Sequence, residues 1–440
     1  MITRRAFNGT LAASTAALAI NTTARSYSQI AGANDRVNFA VIGLNGRAGA
    51  HLSSLKANEK DVRITHVADV ETNILARFAD KTQKTMGYRP ETHQDFRKVL
   101  ALKDVDVITI ATPDHWHAPM AILGLEAGKH VYVEKPCSYD PHEGEMLIAA
   151  RDKYKHLVQM GNQQRSSPHT KKIVGQIHDG LIGRAYSGFA WYGNKRGSIG
   201  IGKPVPVPAT LDWDLWQGPA PRTAYHDNYQ PYNWHWFKRW GTGETLNNGT
   251  HEVDVCRWAL QCEFPESVSA TGGRYHFTDD WQFYDTLEVA YKYPDKMLTW
   301  EGFCCNPMRH YGRDRGALIR GTNGSVIVDR DGYEVYDLGG KMIDEFKLSK
   351  QHTSSTDLTG ADTMTDAHFA NLIAAIRSGE KLHSPIEEGN VAVTMLQLAN
   401  YSWQLNRVLK LDPANGHVMG DPEAARLTRR EYEKGWEPKV

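Results

Sequence analysis

Surplus charge, cysteine pairing and long apolar runs are all missing from this sequence. Lys plus Arg and Asp plus Glu number 51 each. There is thus no basic excess of the kind that tracks a nucleic-acid backbone or an anionic membrane surface, and neither partner is expected. The five cysteines (Cys137, Cys256, Cys262, Cys304, Cys305) include no C-x-x-C pair and no metal-ligand spacing, so no metal site is expected. Their odd number leaves at least one thiol free. A chain of 440 residues can bury its cores without a disulfide framework. The weakly apolar run Leu11-Ala12-Ala13-Ser14-Thr15-Ala16-Ala17-Leu18-Ala19-Ile20 is too short to cross a bilayer, so no stable membrane insertion is expected. Internal repeats are absent as well.

Ahead of that run stands Thr3-Arg4-Arg5-Ala6-Phe7, and together they resemble a bacterial twin-arginine signal. Residues 1–33 are read as that signal, with cleavage after Ala24 or Ala33, which predicts an exported, periplasmic protein. Twin-arginine export carries proteins already folded, often with a cofactor inside.

From Val37 the pattern changes. Val37-Asn38-Phe39-Ala40-Val41-Ile42-Gly43 is a near-continuous apolar strand of the parallel, doubly covered kind. It runs through Gly43-Leu44-Asn45-Gly46-Arg47-Ala48-Gly49 into a helical stretch. Strand, glycine-rich turn and helix form the context of a dinucleotide fingerprint, in which backbone approaches a pyrophosphate resting on the helix amino terminus. Asn45 stands at the second glycine position and Ala48 at the third; Asn is the non-glycine residue most tolerant of positive φ. A second strand, Val62 to Ala68, ends in Asp69, 26 residues after Gly43. A carboxylate about 20 residues on holds the ribose 2′-hydroxyl, so Asp69 favours NAD over NADP. A third strand, Val105 to Ala111, ends in Thr112-Pro113-Asp114-His115-Trp116-His117. A fourth, Val131-Tyr132-Val133, ends in Glu134-Lys135-Pro136, where the proline stops the ladder. Strands alternating with helices predict an α/β domain with a doubly wound parallel sheet over residues 34–158. Gly43, Asp69, Thr112 and Lys135 fall on its one ligand-binding edge.

Glu134-Lys135-Pro136, together with Thr112-Pro113 through His117 and Gly161-Asn162-Gln163-Gln164-Arg165, resembles the family of glucose-fructose oxidoreductase, inositol dehydrogenase and rhizopine-catabolism proteins. The resemblance runs over residues 34–407. It implies that Lys135 is catalytic, meeting the hydroxyl that is oxidised beside the nicotinamide. It also implies that Gly43, Asn45, Gly46, Arg47, Asp69, Thr112, Pro113, His117, Glu134, Lys135 and Gln163 hold NAD, and that Arg165 reaches the substrate. A C-terminal α+β domain with an open, mainly antiparallel sheet should follow, over residues 159–410, with a charged tail at 411–440 on the surface or on a neighbouring subunit of a homo-oligomer.

The family's Asp-x-x-x-His marker corresponds here to Asn247 and His251. His251 is expected to be a general acid/base, its imidazole near a reference pKa of about 6.5. Asn247 cannot balance an imidazolium, although it can bond a sugar hydroxyl, and Asp254, one helical turn after His251, could take over part of the electrostatic role. Twelve Trp and 19 Tyr include a dense group over residues 186–240. Most are expected to be core or loop anchors; Tyr232 and His235 are the pocket candidates. Alternating runs near Asp285 and Met297 predict antiparallel strands, residues 317–328 a hairpin around Thr322-Asn323, and Phe369 with Leu372, Ile373 and Ile376 a helix capped by Gly379.

The expected activity is removal of hydride from a secondary alcohol of a sugar or cyclitol. Outside the cytoplasm no obvious pool reoxidises NADH, so a bound cofactor has to be reset within the reaction. Either a second sugar returns the electrons, or oxidation is transient: a ketone acidifies the neighbouring C–H, a substituent leaves, water adds and hydride returns. The second route is a redox-neutral glycoside cleavage. A cofactor-holding binding protein without turnover is the reading from a different class.

Overall fold

The computed structural model describes residues 36–349 and 362–440, so the expected signal at 1–33 lies outside the described residues. The first sheet has six parallel strands, β1 (Val37–Ile42), β2 (Val62–Ala68), β3 (Glu91–His93), β4 (Val107–Ile110), β5 (His130–Val133) and β6 (Val158–Met160), in the order β3-β2-β1-β4-β5-β6. Four of them carry the apolar runs that mark buried parallel strands. The outer two, β3 and β6, have three residues each, too few for any period to show in sequence. Between β1 and β4 the direction of winding reverses, which opens a crevice at the carboxyl ends of the strands. Gly43 and Thr112 stand on its two lips.

The second sheet has ten strands: β7 (Ala185–Gly193), β8 (Ser267–Gly273), β9 (Thr286–Lys292), β10 (Met297–Phe303), β11 (Arg315–Gly321), β12 (Gly324–Val328), β13 (Gly332–Asp337), β14 (Met342–Lys347), β15 (Leu409–Leu411) and β16 (Val418–Met419). Their order is β14-β13-β12-β11-β7-β10-β9-β8-β15-β16, and every pairing is antiparallel except β7 with β10. The Thr322-Asn323 hairpin joins β11 to β12. In β9 the side chains alternate between buried and exposed, the mark of a sheet with one covered face. The cover is the helix Thr250–Leu260, which lies so close that Gly188 of β7 has Cys256 and Leu260 3.1 Å from where a Cβ would stand.

The helix Thr363–Ser378, capped by Gly379 at φ 75°, does not stay with the second sheet. Phe369, Leu372 and Ile373 share one apolar cluster with β1 and β2, and Phe369 stacks on Tyr132 of β5 with ring centroids 4.4 Å apart. The tail also returns. Arg430 donates to the His115 carbonyl at 2.7 Å and pairs with buried Glu143, Tyr432 bonds Glu143 at 2.8 Å, and Trp436 meets Trp116 edge-on. The two sheets are thus tied by two separate segments of the same chain, which fixes the second domain over the crevice.

Candidate active-site cleft at the domain junction

The cleft, about 1610 Å³ out to its open mouth, runs from the Gly43 turn across Lys135 to the first turn of the helix Thr250–Leu260. Gly43 has φ +79°, and a Cβ there would stand 2.7 Å from the Thr112 nitrogen, so only glycine lets β1 and β4 come this close. Gly46 is the second left-handed position, at φ +44°. Asn45 is not one, which corrects the expectation that it substitutes for a glycine by adopting positive φ; the turn places that strain on Gly46. The helix Ala48–Ala57 begins with Arg47 at its N-cap and no side chain capping its first N–H groups. The N–H groups of Ala48, Gly49 and Ala50 turn back onto the carbonyls of Asn45, Gly46 and Arg47, so what this end of the helix offers a phosphate is the positive end of its dipole behind the cleft-lining Asn45–Arg47 turn.

Asp69 braces this turn. Its Oδ2 accepts from the Leu44 nitrogen at 2.7 Å and its Oδ1 from the Glu71 nitrogen at 2.9 Å. Burial pushes its carboxyl up to about 6 against the pull of those two N–H groups. A ribose hydroxyl donates to the ionised form. Below about pH 6, dinucleotide binding therefore has to expel a proton, and its Kd is expected to rise by up to about tenfold per pH unit. Titrating NAD affinity between pH 7.5 and 4.5 checks this; a flat profile would show that Asp69 does not meet the ribose.

Glu134 sits at the centre of the cleft floor. Its Oε1 accepts from Arg47 Nε at 2.7 Å, faces His51 Nε2 at 2.9 Å and receives Gln163 Nε2 at 3.4 Å. Burial opposes its charge, but Arg47 and His51 more than compensate and hold it well below the usual carboxylate range. Burial lowers the His51 pKa. His51 was invisible in sequence because nothing local distinguishes it from a core histidine. Thr112 and Pro113 line the cleft, and the buried Thr112 hydroxyl has no partner among the described residues. His117, expected to touch the cofactor, lines the cleft too, with its ring nitrogens facing main-chain carbonyls. Nδ1 faces the Pro136 carbonyl at 2.6 Å and Nε2 the Thr112 carbonyl at 2.9 Å, so it clamps the lysine turn to the β4 turn.

Lys135 reaches across to the second domain, where its Nζ donates to the Asn247 carbonyl at 2.5 Å and to Asn247 Oδ1 at 3.3 Å. Burial lowers its pKa despite Glu134 and Asp114 nearby. Asn247 lies in a π-helical turn, Thr245–Gly249, directly before the helix Thr250–Leu260; π-turns of this kind are frequent at functional sites. His251 lines the cleft in the next turn. Its Nε2 is buried with no partner among the described residues, and burial, then Arg330 and Arg315, drive its pKa well below the ordinary value. It is therefore a neutral imidazole with one nitrogen free for a ligand.

Tyr232 and His235 both line the cleft. His235 Nδ1 donates to the Tyr232 carbonyl at 2.7 Å, which leaves the Nε2 lone pair unused by that bond, and burial lowers its pKa well below normal. Behind them, Arg196 pairs with fully buried Glu244 at 2.7 Å. Sequence reasoning passed over both, since neither residue is distinguished until the chain folds.

Arg165 and Asp254 do not line the cleft, contrary to the expectation that they contact substrate. They face each other in a buried bidentate pair, Nε to Oδ2 at 2.7 Å and Nη2 to Oδ1 at 2.9 Å. Asp254 is thereby committed to Arg165 and does not serve as a counter-charge for His251. The aromatic segment divides as its composition suggests: Trp213, Trp216, Tyr229, Phe237 and Trp240 make a cluster of their own. One three-residue group away from the cleft, His66, Glu91 and His93 on β2 and β3, has ligand-type atoms within 4.8 Å of one another.

Residues 37–162 match the family model described as "Oxidoreductase family, NAD-binding Rossmann fold", and residues 200–327 match the "GFO/IDH/MocA C-terminal domain". A glycosyl hydrolase family 109 protein from Saccharopolyspora erythraea is 32% identical over 165 residues, 36% of this chain and 36% of the relative. An alpha-N-acetylgalactosaminidase from Shewanella oneidensis is 26% identical over 161 residues, 36% of this chain and 34% of the relative. The matches thus span about a third of either relative's length. Among solved structures, a levoglucosan dehydrogenase in complex with NADH and levoglucosan superposes with a TM-score of 0.66 at 18% identity, covering 85% of this chain and 99% of that one.

Proposed function

This chain belongs to the Gfo/Idh/MocA oxidoreductase family, with an NAD-binding Rossmann domain, and from that premise we propose that it oxidises a secondary alcohol of a sugar, glycoside or cyclitol. The observation that carries the reading is the position of two groups on one cleft. Lys135 and His251, the latter with its buried Nε2 unpartnered among the described residues, both line the space that continues from the Gly43–Asp69 cradle. That cradle suits NAD: the positive end of a helix dipole for the pyrophosphate, a glycine where a Cβ would collide, and a carboxylate for the ribose. When bound, the nicotinamide supplies the hydride acceptor. Lys135 lowers the energy of the alkoxide that forms as the hydroxyl is oxidised, and neutral His251 takes the hydroxyl proton.

A second reading, redox-neutral cleavage of a glycoside, is favoured by the names of the relatives and by the expected export. A ketone formed transiently acidifies the C–H beside it, Lys135 or His251 removes that proton, and the aglycone departs. The twin-arginine stretch supports a periplasmic enzyme that travels with its cofactor inside; association into a homo-oligomer is part of the same proposal.

One experiment separates the readings. The purified protein is denatured and its released cofactor identified by mass spectrometry, and the native protein is given a glycoside panel with no added NAD. Bound NAD and cleavage without added cofactor are expected under redox-neutral cleavage. Dependence on added NAD with NADH accumulating rejects that route and leaves the simple dehydrogenase. Absence of any spectral change in bound nicotinamide on adding sugars would favour a binding protein over both.

A further inference from the structure

The geometry points to Tyr232 as the acid that protonates the departing glycosidic oxygen, with Asn247 and Arg196 as the positioning residues that aim its proton into the cleft. The inference rests on the glycoside-cleaving reading and goes beyond it by assigning the leaving-group proton.

A lysine ammonium can only donate, so the Asn247 atom facing Lys135 at 3.3 Å is the amide oxygen, and the amide nitrogen is on the other side. That nitrogen stands 3.2 Å from the Tyr232 hydroxyl. An amide nitrogen only donates, so the phenolic oxygen accepts. Arg196 Nη1, also only a donor, reaches the same oxygen at 3.3 Å. Two N–H groups therefore fill the acceptor capacity of the Tyr232 oxygen. Its own hydrogen finds no acceptor among the described residues, on a side chain that lines the cleft and is 44% exposed. The hydroxyl is a donor pointed at whatever the cleft holds.

The same two donors are what a phenolate needs. Arg196 is buried and its charge is fixed by Glu244 at 2.7 Å, so the guanidinium is in place before any charge develops on the tyrosine. Where the family marker has aspartate, this chain has Asn247, and only an amide can accept from Lys135 on one side while donating to Tyr232 on the other. A carboxylate there would draw the tyrosine hydrogen inward, away from substrate.

In the step itself, a sugar carbonyl has been formed by hydride transfer to a nicotinamide dinucleotide. His251 has passed the hydroxyl proton of that oxidation on to water, so it accepts the proton of the adjacent C–H, whose electron pair becomes a C=C bond; His251 returns a proton to that carbon when water adds. The C–O bond to the aglycone breaks, its pair goes to the aglycone oxygen, and that oxygen takes the Tyr232 proton. The phenolate left behind is held by Arg196 and Asn247 until it is reprotonated when water adds to the C=C bond.

The test uses the full-length protein with its bound dinucleotide, NAD added to saturation, and paired methyl and 4-nitrophenyl glycosides, starting with the α-N-acetylgalactosaminides. A methoxide leaving group needs an acid and a nitrophenolate does not. Tyr232→Phe is expected to cut kcat/KM on the methyl glycoside about 100-fold or more and on the nitrophenyl glycoside less than about fivefold. In D₂O the unreacted methyl glycoside should still gain deuterium beside the oxidised carbon, because the earlier steps survive. Asn247→Asp should reproduce the same selectivity. Equal losses on both glycosides, or loss of deuterium uptake, overturn the assignment of Tyr232 alone. Wild-type protein that cleaves no pair in the panel overturns the cleavage reading, and the inference with it.

Discussion

Lys135→Ala is expected to lower kcat by about 100-fold or more, the cost of removing one preorganised charge from a developing oxyanion, which is typically ~3 to 4 kcal/mol of barrier. The side chain is well placed for the experiment. Among the described residues its Nζ bonds only Asn247, through the carbonyl and the side-chain oxygen. Asn247 lines the cleft, where water can take the place of the ammonium, so the substitution should leave the fold and the bound dinucleotide intact. Burial also sets the pH behaviour: the folded lysine has a lowered pKa. At alkaline pH its charge is lost earlier than an exposed lysine's would be, and activity should fall with it. Steady-state kinetics on protein shown to retain its cofactor decide the matter. A loss under about threefold would remove Lys135 from the mechanism.

The second large effect is on stability. Glu134→Ala is expected to destabilise the protein by about 3 kcal/mol, the low end of the usual result of deleting one side of a buried charge pair, because Arg47 keeps Thr365 as a partner. Here Arg47 Nε loses its carboxylate at 2.7 Å, and His51 Nε2 its partner at 2.9 Å, with His51 fully buried. Cofactor retention should drop too, because Arg47 is the N-cap of the helix under the pyrophosphate site. Glu134→Gln should cost less, since the amide oxygen still accepts an N–H bond. The sign of the pH effect follows from the depressed folded pKa. Unfolded, the carboxyl titrates near 4.5. Its contribution is therefore complete above that value and is lost as pH falls below it toward the lower folded pKa. The glutamine variant should show a flatter loss of stability on acidification over that window. Denaturant midpoints within experimental error of wild type for the alanine variant would mean that Arg47 and His51 are satisfied by solvent.

Much of this site can be read residue by residue because its signals are local. Gly43 and Gly46 are legible because a strand must turn sharply into a helix there, and Asp69 because it closes the next strand. Lys135 is legible because Pro136 ends a run of buried residues at the sheet's ligand edge. Those features depend on neighbours a few positions away. Arg165 and Asp254 illustrate the opposite case. Each looks like a substrate contact by its place in a motif, and each is consumed by the other across 89 residues. His117 is an intermediate case: it lines the cleft as its turn suggests, while its ring nitrogens face two main-chain carbonyls. The helix Thr363–Ser378 was legible as a helix, but its periodic face does not say which of two sheets it covers.

By itself, then, the sequence determined the parallel-sheet domain with its dinucleotide turn, the lysine at the sheet edge and the histidine that opens the facing helix, because strand ends, glycine turns and helix starts are written in consecutive residues. The tertiary structure alone decided the electrostatic pairings: Glu134 with Arg47 and His51, Asp254 with Arg165, and Glu244 with Arg196, which in turn reaches Tyr232. In a low-dielectric interior a charge must find a partner within a few ångströms, and which partner lies within reach is set by how the elements of each domain pack, not by distance along the chain.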